Sequence, residues 1–314
     1  MSGINAQSIK ELRERTQAGM SDCKSALVEA EGDMEKAVEI IQKKGLAKSV
    51  KKAGAVASEG EVRASVAADK RAATIVEVNI QTDFSARSDE FKAFVGQVLA
   101  TAEKAPAGAD LANEKLASGQ TVADAAVALT GKIGEKITAR RWDRVEVGAG
   151  KHGVAHSYVH MGGKIGVVLL LEAENEAAAA HPEVLKFADD TAMQIAAMNA
   201  QVVTRDQVAA SDVAHQKDIF QGQLKEDPKT AAKEAQWPKM IEGKLNKWFQ
   251  EISLLEQESV VVPGNTIEKL RDAVSKTAGG KVTLARFVRY ERGEGIAKAV
   301  KEDFASEVAK MAGG

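Results

Sequence analysis

The sequence predicts an α+β fold made of an N-terminal three-helix module, a duplicated core with small and mostly antiparallel sheets, an inserted helical hairpin and a C-terminal helix. Three observations lead to this class. Apolar residues near the start of the chain recur every three or four positions, which is typical of amphipathic helices. A pattern of strand, polar loop and helix then occurs twice. Long polar segments interrupted by proline follow between 208 and 257 and indicate a pair of helices.

The N-terminal module is predicted to span 1–55 and to end in a basic linker. Gly19 is expected to end the first helix, and Ser21 is a candidate N-cap for the second. Asp33 is placed to cap a third helix, which we expect to stop at Gly45. The second helix carries apolar residues at helical spacing: Cys23, Ala26, Leu27 and Ala30.

The core contains an internal duplication. The segment TIVEVNIQTDFSARSDEFKAF aligns with GVVLLLEAENEAAAAHPEVLKF under a single shift. The matched positions are Ile75 with Val168, Glu90 with Glu183, and Phe94 with Phe187. Each copy predicts a strand, a polar loop and an amphipathic helix. We therefore predict two related α+β subdomains, the first at 56–147 and the second at 148–207 and 258–294.

Residues 208–257 are predicted to form a helical hairpin, or coiled coil, inserted into the second subdomain. Pro228 and Pro238 suit first helical turns. The second arm carries an apolar stripe of Ile241, Leu245, Trp248, Phe249, Ile252 and Leu255. Such a stripe packs on the core, holds a partner or joins two copies of the chain as a homodimer, and the sequence leaves these alternatives open. The following VTLARFVRYE alternates as a strand would, and a helix in a C-terminal module at 295–314 finishes the chain.

Composition and charge exclude several classes of function. A formal net charge of -2 gives the chain no general attraction to nucleic-acid phosphates. The single cysteine, Cys23, provides neither an internal disulfide nor a cysteine metal cluster, and we expect it to be buried. The longest apolar run, Val167 to Leu171, is too short to span a bilayer, and the opening residues do not read as a targeting segment. We therefore expect a cytoplasmic protein with no membrane attachment, metal or cofactor.

Two patterns resemble chemical sites without meeting their requirements. The GAGKH segment that begins at Gly148 lacks the first glycine of a phosphate-binding loop, because Val145 stands there, and no Ser or Thr follows its lysine. His152, His156 and His160 would share one helix face, but their Gly- and Val-rich surroundings favour a strand, where four residues span about 13 Å. We therefore predict neither a nucleotidase nor a zinc site, and the sequence shows no evident enzyme.

Phe84 stands in a polar loop directly after a predicted strand, beside Thr82 and Asp83. The second copy has Ala177 at the matched position, so the scaffold does not demand an aromatic ring there. Such a ring either contacts a partner or folds back as a plug on its own core, and the residues alone leave both readings open.

Four motifs resemble the elongation factor Ts family in order and spacing over essentially the whole chain: LRERTQAGMSDCKSAL, NIQTDF, SYVHMGGKIGVV and KMIEGKLNKWFQEISLLEQ. The resemblance implies a translation factor that binds elongation factor Tu with GDP and promotes GDP release, without catalytic chemistry of its own. It also implies an N-terminal module like a ubiquitin-associated domain. Gln17 and Ser21 depart from the family pattern, which usually has glycine and a second methionine there.

The resemblance also assigns roles to individual residues. Thr82, Asp83, Phe84 and Ser85 are expected to enter the partner near its Mg²⁺ and phosphate site and disturb it, with Phe84 as the wedge. The remaining partner contacts implied are Arg13 and Met20 in the first module, His160, Gly162 and Gly163 in the core, and Phe304 in the terminal helix.

Two other functions stay open at this stage. An adaptor would grip other proteins through the three-helix module and would bind a GTPase without changing nucleotide release. An RNA-binding protein would use the basic run of Lys43, Lys44, Lys48, Lys51 and Lys52, and its affinity would fall steeply with salt. The intact NIQTDF segment argues against the adaptor, and the low net charge argues against the RNA-binding protein.

Overall fold

A computed structural model describes residues 4–16, 20–52 and 54–297 of the chain. Over these residues the fold is α+β, as predicted, with two antiparallel three-stranded sheets. By its internal contacts the chain divides into two compact units. The first comprises Met1–Glu61, Val76–Arg141 and Glu291–Gly314, and the second comprises Val62–Ile75 and Trp142–Tyr290. No helix among the described residues is long and apolar enough to cross a membrane.

The N-terminal module consists of α1 (Ala6–Thr16), α2 (Met20–Glu29) and α3 (Met34–Lys52). Asp33 caps α3 as predicted, because its Oδ1 accepts a hydrogen bond from the backbone N–H of Lys36 at 3.1 Å. Apolar side chains of the three helices pack into one small core. Its buried members are Leu12, Cys23, Ala26, Leu27, Ala30 and Ala37, so the prediction that Cys23 is buried is confirmed.

The start of α2 differs from the prediction that Ser21 caps it. The helix begins at Met20, so Ser21 lies inside the first turn. An N-cap residue precedes its helix with non-helical backbone angles, so Ser21 is not the cap. Residues 17–19, which include Gln17 and the predicted break at Gly19, lie outside the described part of the chain.

The first copy of the duplicated core is built on a sheet with the strand order β1-β2-β3. Its strands are β1 (Glu59–Val66), β2 (Ala72–Ile80) and β3 (Thr138–Glu146). Between β2 and β3 lie the helices α4 (Asp83–Ala86), α5 (Asp89–Ala102) and α6 (Val122–Ile133). Helix α5 buries an apolar face at helical spacing: Phe91, Phe94, Val95, Val98, Leu99 and Ala102.

Helix α3 does not stop at Gly45, as the sequence suggested, but continues to Lys52. The residues predicted as a basic linker are therefore largely helical. A glycine inside a helix costs only about 1 kcal/mol relative to alanine, so it does not end a helix by itself. Here the missing side chain serves packing, because α6 crosses α3 at Gly131, where an added Cβ would lie 2.6 Å from the Gly45 Cα.

The second copy is built on a sheet with the strand order β4-β5-β6. Its elements are β4 (His152–His160), β5 (Ile165–Ala173), α7 (Glu176–Ala179), α8 (Pro182–Met198), α9 (Ala210–Glu226), α10 (Trp237–Ile252), α11 (Ile267–Ala278) and β6 (Val282–Glu291). Strands β4 and β5 pair antiparallel over their full length. The core of this copy combines side chains from β5, α8 and α11, among them Leu169, Leu171, Phe187, Ile195 and Ile267.

The structure confirms the internal duplication and extends it. Strands β2 and β5 begin and end at matched positions, and α4 with α5 corresponds to α7 with α8. Helices α6 and α11 are equivalent as well. Each is N-capped by the side chain of a threonine, Thr121 or Thr266, and each ends at a left-handed glycine, Gly134 or Gly279. The same local rules therefore shape both copies.

Helices α9 and α10 contact each other as the predicted hairpin and interrupt the second copy between α8 and α11. Pro238 stands in the first turn of α10, as predicted. The prediction for Pro228 is wrong, because this residue follows the end of α9 in a series of turns. The residue before a proline avoids helical angles, and Asp227 accordingly has φ -75° and ψ 117°. The predicted strand after the hairpin is β6, while the predicted C-terminal helix lies outside the described residues.

A fully buried carboxylate, Glu77 on β2, holds the first unit together. Arg140 Nη1 donates to its two oxygens at 3.0 and 3.2 Å, and Arg141 Nε donates to Oε2 at 2.5 Å. The Asn79 side chain and the backbone N–H of Gly293 donate to Oε1 at 3.0 and 2.8 Å. The carboxylate therefore joins β2, β3 and the turn that follows β6.

Burial alone would raise the pKa of Glu77, since it penalises the charged form. The hydrogen bonds from Gly293, Asn79 and Arg141 outweigh burial, so the pKa lies below the ordinary glutamate value. A carboxylate with a lowered folded-state pKa contributes stability above the unfolded-state pKa. That contribution is lost as the pH falls through the folded-state pKa.

We expect Glu77→Gln to lower the free energy of unfolding at pH 7 by roughly 2–3 kcal/mol, because Arg140 and Arg141 lose their shared anion. The deficit relative to the parent should shrink in acid, where the parent carboxyl is itself protonated. Urea unfolding followed by circular dichroism at several pH values measures this. Glu146→Gln is the control, since Glu146 is an exposed partner of Arg144 at 3.3 Å and should change little. Equal losses in both variants would contradict the assignment.

Candidate functional site

Residues 81–85, named here the QTDFS loop, connect β2 to the first helices of the first copy. Phe84 is 84% exposed, more than any other large hydrophobic residue in the described part of the chain. The ring therefore does not plug its own core, and one of the two readings left open by the sequence is excluded. A large apolar side chain held in water at a loop is typical of a contact with another molecule.

The QTDFS loop is a helix start rather than an irregular segment. Thr82 has extended backbone angles and caps α4, since its Oγ1 accepts a hydrogen bond from the Ser85 N–H at 3.2 Å. Ala86 is buried beneath this turn. Asp83 stands in the first turn, where the helix dipole favours a negative charge, and pairs with Arg87 at 2.7 Å. This short turn directs Phe84 outward.

Glu135 lies in the turn between α6 and β3 and holds the QTDFS loop of the same unit. Its Oε1 accepts hydrogen bonds from the hydroxyls of Thr82 at 2.8 Å and Ser85 at 2.6 Å. Its Oε2 accepts one from the Thr82 N–H at 3.0 Å. Beside it, Gln81 Oε1 accepts a hydrogen bond from the Lys136 N–H at 2.9 Å. Hydrogen bonds to Glu135 and Lys136 therefore fix residues on both sides of Phe84, namely Gln81 and Thr82 before it and Ser85 after it.

Sequence reasoning did not find Glu135. A signal was available, because Gly134 and Glu135 form a Gly-Glu pair, and such a pair is typical of a turn after a helix. The beginning of an antiparallel neighbour lies beside the end of β2, where the loop starts. The sequence does not show that β2 pairs with β3, however, and without that pairing Glu135 cannot be placed beside the loop.

The β4–β5 hairpin carries the second group of predicted site residues, His160, Gly162 and Gly163. The turn is tight, because Lys164 N–H donates to the His160 carbonyl at 3.1 Å. Met161, Gly162 and Gly163 all have positive φ angles, of 49°, 62° and 91°. Met161 is 67% exposed at the tip and was also missed by sequence reasoning, although the two glycines after it already indicate a turn.

The three spaced histidines lie along β4, as their strand context predicted. His156 Nε2 lies 3.2 Å from Asp189 Oδ1, while His160 Nδ1 lies 2.9 Å from the Tyr158 hydroxyl and the two rings stack. Their partners therefore differ. Within the described ranges, no group of three or more His, Cys, Asp or Glu side chains is placed to hold a metal ion.

The GAGKH segment connects β3 to β4. Its carbonyl oxygens face a guanidinium, because Arg71 donates to the carbonyls of Gly148 and Lys151 at 3.3 Å. A phosphate-binding loop instead presents backbone N–H groups to its ligand. The geometry agrees with a strand connection.

The remaining predicted contacts belong to the N-terminal module and to the chain end. Arg13 is exposed on α1, and Met20 is 58% exposed at the start of α2. Phe304 lies outside the described residues. The structure thus brings Thr82, Phe84 and their neighbours into one turn, while the other predicted residues occupy different elements.

The sequence model of the family described as Elongation factor TS matches residues 81–294, beginning with the first residue of the QTDFS loop. The chain belongs to the elongation factor Ts family. It is 42% identical over 312 residues to Elongation factor Ts of Clostridium botulinum (strain Eklund 17B / Type B), covering 99% of each chain. It is 44% identical over 313 residues to Elongation factor Ts of Clostridioides difficile (strain 630), again covering 99% of each. Elongation factor Ts of Symbiobacterium thermophilum is 43% identical over 315 residues, or 100% of this chain and 99% of the relative.

Gly163 provides a test of the hairpin geometry. We expect Gly163→Ala to lower the free energy of unfolding by about 1–2 kcal/mol, because a side chain is strained at positive φ. Gly222→Ala is the matched control, since Gly222 lies inside α9 and an added Cβ would have no atom within 4 Å. That control should stabilise the protein by about 0.5–1 kcal/mol, because alanine favours a helix. Urea unfolding of the two variants checks both signs, and a stabilising Gly163→Ala would show that the turn is not held at positive φ.

Proposed function

We propose that this chain is a cytoplasmic guanine nucleotide exchange factor that binds elongation factor Tu with GDP and promotes GDP release, so that GTP can bind. The single observation that carries the proposal is the exposed ring of Phe84 on a fixed turn, in a chain of the elongation factor Ts family. A ring that serves no packing purpose in its own fold is available to insert into a partner.

The physical basis is thermodynamic linkage. A protein that binds the empty GTPase more tightly than the GDP-bound one must weaken GDP binding by the same factor. Each tenfold weakening corresponds to about 1.4 kcal/mol. The QTDFS loop would act beside the Mg²⁺ and phosphate site of the partner. There Phe84, with Asp83 as its polar neighbour, would displace groups that compensate the negative charge of the GDP phosphates. No covalent bond is formed or broken, so the protein needs no catalytic group of its own.

Other surfaces would supply the docking energy. We assign these contacts to Arg13 and Met20 on the N-terminal module and to the hairpin tip with His160, Gly162 and Gly163. Exposed methionines adapt to a partner surface, and Met161 adds one at that tip. Phe304 would hold the partner through the C-terminal module, and the α9–α10 hairpin stays a candidate homodimer surface.

The two competing functions receive less support. An adaptor has no use for a fixed, exposed aromatic ring on the core. The RNA-binding alternative rests on the basic run of α3, where Lys43 and Lys44 already pair with Glu39 and Glu29 at 3.5 and 2.6 Å. Paired cations release fewer counterions on binding a phosphate backbone, which weakens the alternative.

The test is the release of fluorescent GDP from purified elongation factor Tu with and without this protein. The parent should accelerate release strongly. Phe84→Ala should lower the maximal stimulated rate by about tenfold or more, while affinity for the nucleotide-free partner falls much less, because the other contacts remain.

Val260→Ala is the control for this substitution, since Val260 is an exposed apolar residue in the loop between α10 and α11 and should leave the rate unchanged. Equal losses of rate and affinity in Phe84→Ala would contradict the wedge. Binding of the parent without any acceleration would favour the adaptor.

A further inference from the structure

The second copy of the core is an internal control for the QTDFS loop. Thr82 corresponds to Asn175, and both cap a four-residue helix, since Asn175 Oδ1 accepts a hydrogen bond from the Ala178 N–H at 2.8 Å. The next anchor is also shared. Gln81 accepts from the Lys136 N–H, and the matched Glu174 accepts from the Lys281 N–H, each at 2.9 Å. The scaffold of the loop is therefore the same in both copies.

The turn that precedes the last strand of each copy is shared as well. It begins at the left-handed glycine that ends α6 or α11. Three residues later, the N–H of Ile137 donates to the Thr130 hydroxyl at 3.1 Å, and the N–H of Val282 donates to the Ser275 hydroxyl at 3.0 Å. Glu135 and Gly280 occupy the same position in these two turns.

The copies differ at a small set of positions around this shared frame. Where the first copy has Phe84, Ser85 and Glu135, the second has Ala177, Ala178 and Gly280. At Gly280 an added Cβ would lie 2.8 Å from Asn175 Nδ2 and 3.1 Å from Ala178 Cβ, so the second loop closes directly on the glycine. Strand, cap, helix and turn thus form without a carboxylate at this position.

We infer that Glu135 is a positioning residue for nucleotide exchange, which holds the QTDFS loop in the conformation that presents Phe84. The inference rests on the proposed function and deepens it. The carboxylate fixes the backbone of Thr82 before the ring and the hydroxyl of Ser85 after it, so the turn is set on both sides. A loop that is already ordered loses less conformational entropy when it docks.

The experiment measures GDP release and binding to nucleotide-free elongation factor Tu for Glu135→Ala. We expect the maximal stimulated rate to fall about three- to tenfold while affinity changes less than about twofold, because Glu135 acts through the ring rather than by contact. Glu135→Gln keeps the size of the side chain and should give a smaller loss of rate. The melting temperature of each variant shows that it is folded.

A double-mutant cycle with Phe84→Ala separates positioning from general structural damage. If Glu135 acts through Phe84, then Glu135→Ala should cause no further loss of rate in the Phe84→Ala background. Hydrogen exchange should also become faster at the amides of residues 82–86 in Glu135→Ala. Glu174→Ala is the control, since it removes a carboxylate that anchors the corresponding loop of the second copy, which carries no aromatic ring, and it should leave exchange of GDP unchanged.

The outcomes distinguish a failure of the positioning role of Glu135 from a failure of the proposed function. An unchanged rate in Glu135→Ala, together with a clear loss in Phe84→Ala, would overturn the inference and leave the proposed function standing. Fully additive losses in the cycle would also overturn it, because Glu135 would then act independently of the ring. A parent protein that does not accelerate GDP release would overturn the proposed function and the inference with it.

Discussion

The buried carboxylate of Glu77 is the interaction on which the arrangement of the candidate site depends. A buried charge is costly unless donors surround it, and here Arg140, Arg141, Asn79 and the Gly293 N–H supply them. These donors come from β2, β3 and the turn after β6. Strand β2 leads into the QTDFS loop, and β3 begins just after Glu135, so one charged cluster fixes both strands from which the site is built.

The duplication shows that the same frame forms with and without the residues of the candidate site. Both copies use a polar side chain to cap a four-residue helix and a left-handed glycine to end the helix before the last strand. At the positions that differ, the first copy has Phe84 and Glu135, whereas the second copy has the small residues Ala177 and Gly280. Because the shared hydrogen bonds form in both copies, the frame of the loop does not require the residues that differ.

The sequence predicted correctly those features that depend on interactions between residues close together in the chain. The Asp33 cap, the repeated strand and helix, the hairpin and the β6 alternation all depend on neighbours within a few positions, and the structure confirms them. The errors came from residues whose local preference was overridden or ambiguous. Gly45 was expected to end a helix, but it lies inside α3. Its lack of a side chain lets α6 approach closely at Gly131. Pro228 was assigned to a helix start, although a proline equally follows a helix end.

The sequence by itself determined the fold class, the duplication, the membership that four spaced motifs indicate and the position of an aromatic ring after a strand. These properties follow from periodicity and from local turn chemistry, which a linear pattern records. Only the tertiary structure decided whether Phe84 faces water or its own core, and only it joined Glu135 to Thr82 and Ser85. Those contacts link residues far apart in the chain, and they form where β2 and β3 lie side by side in one sheet.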